Sequence, residues 1–253
     1  MTADAPSTQI SPVRALVDTG GRFMVSPQME AAAEPFGMKS GAIYFRGRVS
    51  ALGAVSAEVA TAALAIFPAP LMELVWERSS AMPAAVALNG YSDACVLWGR
   101  EHFASFDGAA RLGELVTRVV DTCDPSSLVL FSAWRAQPRP DDVEGHTAYA
   151  VMLLRELRGG LHFAALRAHG LDIPVAVLAD PSGGVSRLRR TGWRHDQIDE
   201  LETRASSVHD LVNRWKAAEA MTDAAFEGAT SVLTPTERTE LEALLLEAEL
   251  VSR

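Results

Sequence analysis

A chain of 253 residues with 48% hydrophobic and 22% charged residues can bury a sizeable core, which excludes a disordered polypeptide. No apolar run reaches the length a bilayer requires, and the opening MTADAPSTQISPVR lacks the basic-then-apolar order of a signal peptide, so a cytoplasmic protein is expected. A net charge of −9 argues against nucleic acid as a partner, because phosphate neutralisation needs clustered positive charge.

The charge is unevenly spread. From Asp196 to Arg253 there are thirteen Asp or Glu against five Lys or Arg, a net of −8. Lys39 and Lys216 are the only lysines, so the cations are arginines, whose planar fork suits carboxylate, sulfate or phosphate. Cys95 and Cys123 lie far apart and outside any metal spacing, and read as reduced thiols.

Helical spacing dominates in chain order. SAEVATAALAIF starts from Ser56 as N-cap and ends at Pro68 and Pro70. PLMELVWERSSAM follows as an amphipathic helix, and GAARLGELVTRVVDTC places Leu112, Leu115, Val116 and Val119 on one face. DPSSLVLFSAWRAQ predicts a helix capped by Asp124 with Pro125 in its first position. After the proline-rich loop AQPRPDDVEG come two helical pieces, HTAYAVMLLREL and LHFAALRAHG, meeting at Gly159-Gly160, with Gly170 as the closing C-cap. LDIPVAVLADPSGG is open between a short strand and a buried helix before its turn.

HDQIDELETRASSVHDLVNRWKAAEAM is expected as one long amphipathic stretch. In LTPTERTELEALLLEAEL, Thr234 caps, Pro235 opens and Glu237 completes a capping box. The expected fold class is mainly α, in two packed halves: residues 1–125 as an N-terminal helical domain, and residues 126–253 as a C-terminal helical domain with a degenerate winged-helix-like character. Trp76, Trp98, Trp193 and Trp215 read as core.

No Gly-rich phosphate loop, GxSxG elbow, HExxH or strand-linked GxGxxG is present, so neither a cofactor nor a metal is expected.

Three stretches together resemble a large actinobacterial family labelled helix-turn-helix proteins. YFRGRVSALGAVSAEV is similar to the family's YFxGRxxPLGxVxAxVV at Tyr44, Phe45, Gly47, Arg48, Leu52, Gly53 and Val55. FSAWRAQP has Trp134-Arg135 where the family tends to Asn-Arg. The third stretch is similar to HxxxxLLREHRGDGHxAAL at His146, Leu153, Leu154, Arg155, Glu156, Arg158, Gly159, His162 and Ala164 to Leu166, and departs at Leu157, Gly160 and Leu161. LTPTERTELEALL resembles the closing helix of MarR-type winged-helix regulators, yet no strand-turn-strand precedes it where a wing belongs.

Arg155, Arg158 and His162 are spaced i, i+3 and i+7 and share a helical face if the glycine pair keeps the register. With Arg48 and Arg135 they suggest a pocket for an anionic small molecule, walled by Tyr44 and Trp134, with His146, His162 and Glu156 as candidate catalytic groups. A buried ion-pair network of purely architectural value explains the same residues. The favoured reading is a cofactor-independent enzyme of specialised metabolism, closing a ring or eliminating an anionic group. The alternatives are a ligand-responsive MarR-like DNA-binding regulator, carried by the resemblance, and a non-catalytic partner subunit. The long C-terminal helices suit a homodimer or a heterodimer.

Overall fold

A computed structural model of the chain describes residues 11–253, and every regular element among them is a helix. The fold is mainly α. No single helix among these residues is long and apolar enough to cross a membrane.

Local chemistry sets the first boundaries. α1 (Pro12–Arg22) and α2 (Pro27–Ala33) each open with a Ser-Pro pair: Ser11 accepts from the Arg14 N–H, Ser26 from the Met29 N–H, and proline occupies the first helical position. α3 (Ser40–Ser50) carries the YFRGR stretch. α4 (Ala57–Leu64) is capped by Ser56 as expected, and α5 (Ala69–Arg78) begins after Pro68. α6 (Ala84–His102) and α7 (Ala109–Thr122) follow.

α8 is short, Val129–Arg135, and the expected cap at Asp124 is not one. Asp124 instead accepts from the N–H and hydroxyl of Ser126, a local turn that competes with helix initiation, so the helix starts four residues after Pro125.

α9 runs unbroken from Val143 to Ala168, straight through Gly159-Gly160. The expected hairpin of two pieces is therefore corrected to one helix. Two interior glycines cost about 1 kcal/mol each relative to alanine. Thirteen buried residues on this helix, set against α1, α6, α7 and α8, outweigh that cost. α9 is the axis of the molecule. Its C-terminal half packs on α13 (Leu211–Ala229), while α14 (Pro235–Val251) closes the fold against α1 and α7. The main core draws residues from Ala15 to Ala248.

Beyond Gly170, which is left-handed with φ +64° at the end of α9, three short helices form a unit of their own. They are α10 (Ile173–Ala179), α11 (Gly184–Arg190) and α12 (His195–Ser207). Val175, Val177, Leu188, Ile198 and Leu201 make their small core. The open choice in LDIPVAVLA thus resolves as helix. The stretch expected as one long helix breaks at Asp210, whose left-handed φ of +58° is a conformation that Asp tolerates better than most residues. α12 passes directly into α13 through Val208–Asp210, and no strand intervenes.

Candidate functional site

The expected cluster separates into four places. Arg48 and Glu156 form one centre. Arg48 Nε lies 3.0 Å and Nη2 2.9 Å from the two Glu156 carboxylate oxygens, a side-on bidentate pair. Arg48 Nη1 donates to the Tyr44 hydroxyl at 3.0 Å, and Arg155 Nη1 donates to Glu156 Oε1 at 3.1 Å. Trp134 Nε1 donates to the Arg48 carbonyl at 2.7 Å, and Tyr149 in turn donates to the Trp134 carbonyl at 3.0 Å.

Burial pushes Glu156 up, but the charges of Arg48 and Arg155 outweigh it and hold the carboxyl below its usual range. Burial likewise disfavours the Arg48 cation, and Glu156 with Tyr44 and Tyr91 reverses the effect, so the guanidinium stays charged.

Gly47 explains why this arrangement needs the Gly-Arg pair. A Cβ there would lie 2.5 Å from both the Ala87 carbonyl oxygen and Tyr91 Cβ, so only glycine lets α3 rest on α6. That close approach holds the next residue, Arg48, where it meets Glu156 of α9.

Of the three residues expected on one face, Arg158 and His162 do share it, turned toward α13, whereas Arg155 faces away, packed against Gly20 and Gly21 of α1 and bonded to Glu156. Arg158 Nη2 lies 3.1 Å from Asp223 and 3.8 Å from Glu219. His162 Nδ1 is 3.2 Å from the Thr222 hydroxyl, which itself donates to the Ala218 carbonyl, so Nδ1 carries the proton and donates. Burial, with Arg158 and Arg187 next, pushes His162 down to about 4, leaving a neutral imidazole at pH 7.

His146 lies elsewhere, between the Thr117 hydroxyl at 2.9 Å and the Pro140 carbonyl at 3.3 Å. Arg135 donates to the Val120 and Cys123 carbonyls, satisfying the end of α7, and stacks over Phe131. Neither reaches Arg48. No group of three potential metal ligands occurs among the described residues.

What the spacing does not reveal is a cleft of about 680 Å³. Its floor is Arg48 and Glu156; Ala62 of α4, Phe131 of α8 and Phe163 of α9 wall it, with Phe67 after α4 and Leu128 just before α8. The remaining wall comes from the three-helix unit, through Ile173, Pro174 and Trp193. Such a volume and apolar lining suit a small molecule.

The joint between that unit and the rest is specific. Trp193, in the turn between α11 and α12, donates through Nε1 to the Ile66 carbonyl at 2.8 Å. Gly192 before it has φ +90°, and a Cβ there would come within 2.6 Å of the Leu71 side chain. The turn is thus pressed against α5 and the end of α4, at the rim of the cleft.

A model of a helix-turn-helix family matches residues 11–250, nearly the whole described chain. The chain belongs to this family. No protein of curated function and no solved structure matches it. In this helix-turn-helix protein α10 packs against two further short helices, α11 and α12, which are joined by the Thr191–Arg194 turn.

The two helices carry opposite charge. Arg187, Arg189, Arg190 and Arg194 are exposed on and just after α11. Only Arg187 and Arg194 make ion pairs among the described residues, with Asp180 and Asp196. α12 exposes Asp196, Asp199, Glu200 and Glu202 against the single Arg204.

Proposed function

We propose that this member of the helix-turn-helix family is a ligand-responsive regulator. A small molecule enters the cleft above Arg48 and Glu156, and its occupancy sets the position of the three-helix unit, whose α11 arginines contact DNA phosphates. The observation that carries this reading is that one cleft has walls from both bodies, with Trp193 at their joint. A ligand touching both sides binds one relative position better than another, which is what shifting a two-state equilibrium requires.

The acidic α12 limits how DNA is held. Four exposed carboxylates on one short helix repel the groove, so the α11 arginines carry the contact and the binding is electrostatic and strongly salt-dependent. The test is fluorescence anisotropy of a labelled duplex from the region upstream of the protein's own gene, at low and physiological salt. Binding that weakens steeply with salt, and that is lost in Arg187→Gln/Arg189→Gln/Arg190→Gln, supports the reading. Absence of binding even at low salt sinks it.

That same charge on α12, together with the direct passage from α12 to α13 where a wing would stand, favours a second reading. In it the scaffold has left DNA and the cleft serves a cofactor-independent enzyme acting on the bound small molecule. His146 and His162 line no part of this cleft, so such chemistry would draw on Glu156 and Arg48 at its floor or Arg167 and Asp172 at its rim.

A further inference from the structure

We infer that the cleft takes an amphipathic monoanion, a carboxylate head on an apolar body, with the head against Arg48; this rests on the ligand-binding reading above. Three charges meet at and behind the floor: the guanidinium of Arg48 and the carboxylate of Glu156, which line the cleft, and the guanidinium of Arg155 bonded to Glu156 behind them. Neither arginine has another carboxylate in ion-pairing range among the described residues, so the triad keeps one uncompensated positive charge. Glu156 is almost completely buried, and the Arg48 side chain is only 12% exposed, so this excess is poorly screened by water.

Arg48 can also receive the head. A guanidinium has five N–H donors, and its three bonds, two to Glu156 and one to Tyr44, leave two free in a residue that lines the cleft. A single carboxylate matches the one spare charge and can accept from the two free N–H groups, one on Nη1 and one on Nη2.

The rest of the cleft argues against a more highly charged or sugar-like ligand. Phe67, Phe131, Phe163, Leu128 and Ile173 offer no polar atom in their side chains. The Trp193 indole N–H is already used by Ile66, and the Thr61 hydroxyl by Ala57. At the rim, Arg167 shares Asp172 with Arg204, and its side chain is 66% exposed, so water screens its charge. A polyphosphate or a sugar would leave its remaining polar groups unpaired against these walls.

The experiment is calorimetric titration of the full chain with octanoate, its neutral isostere octanamide, and glucose 6-phosphate. Octanoate is expected to bind about tenfold more tightly than octanamide, as one charge-assisted head contact implies, and glucose 6-phosphate not at all. Two variants locate the effect without breaking the Arg48–Glu156 pair. Arg155→Gln takes the triad to neutrality and should bring octanoate down to the affinity of octanamide. Ala164→Phe, at an exposed position of α9 that lines the cleft, should abolish both. Equal binding of octanoate and octanamide, or an Arg155→Gln variant that keeps the preference, overturns the head-group inference while leaving the cleft a binding site. Octanoate binding that survives Ala164→Phe overturns it too, by locating the ligand elsewhere. If neither octanoate nor octanamide binds the wild type, the ligand-binding reading itself fails.

Discussion

Arg48 of α3 and Glu156 of α9 stand 108 residues apart in the chain and meet in a two-bond pair at 3.0 and 2.9 Å beneath the cleft. Removing one partner of such a buried pair strands the other without compensation. Glu156→Gln is expected to cost about 3–5 kcal/mol, measured by urea denaturation at pH 7. The double variant Arg48→Met/Glu156→Leu removes both charges, leaves Arg155 with the access to water its 22% exposure gives, and should recover much of that loss. A single-variant cost below about 1 kcal/mol would mean that water already screens the pair.

The joint at Gly192 and Trp193 gives a second prediction. Gly192→Ala must hold an L side chain at φ +90° while moving Leu71 aside, so a loss of about 1–3 kcal/mol is expected. Trp193→Phe keeps most of the ring but deletes the bond to the Ile66 carbonyl, for about 1 kcal/mol. Both variants should also weaken any effect of a cleft ligand on DNA affinity. If that effect is unchanged in both, the joint does not transmit it.

His162 sets a pH dependence of known sign. Its value of about 4 lies below the unfolded value of 6.5, so the unfolded chain binds more protons between those limits and stability falls as pH drops through that window. The full loss is up to about 3 kcal/mol, reduced by solvent at this partly exposed ring. Glu219, 3.4 Å away, is pushed up by burial and acts in the opposite sense, stabilising the fold as it takes up a proton. Comparing wild type with His162→Gln from pH 7 to pH 4 isolates the histidine: the variant should lose less stability. Parallel curves would place the acid sensitivity in other groups.

DNA binding, if carried by α11, has a predictable salt slope. Neutralising Arg187, Arg189 and Arg190 together should flatten the log–log dependence of affinity on salt by about 3, roughly one per phosphate contact. An unchanged slope would assign the contacts to another surface.

Much of this was legible in the sequence where local chemistry decides. The Ser56 cap and the Thr234–Glu237 capping box occur as read, because such motifs satisfy their own orphan N–H groups within four residues. The same Ser-Pro signal at Ser11 and Ser26 marks α1 and α2, which periodicity alone passes over. α6 is hidden by Asn89, Gly90, Ser92 and Gly99, residues of low helix propensity that long-range packing on α3 and α9 overrides. Gly159-Gly160 misled in the same way.

The candidate site was half legible. Spacing put Arg155, Arg158 and His162 on one face; the last two share it and meet α13, while Arg155 turns to Glu156 and α1, because a helical face does not say which neighbour each side chain meets. Glu156 and Arg48 were singled out, whereas their direct pairing depends on how closely α3 approaches α6. The cleft itself is a gap between elements distant in the chain, which no local pattern encodes.

In the proposed regulator the cleft and the α11 surface are linked. The most direct measurement is the affinity of the wild type for its own upstream DNA at low salt, with and without saturating octanoate. A change of at least about fivefold is expected, the lower end of ordinary coupling between sites, and it should disappear in Ala164→Phe. DNA binding that is indifferent to the cleft's occupant, in a protein that binds octanoate, would contradict it.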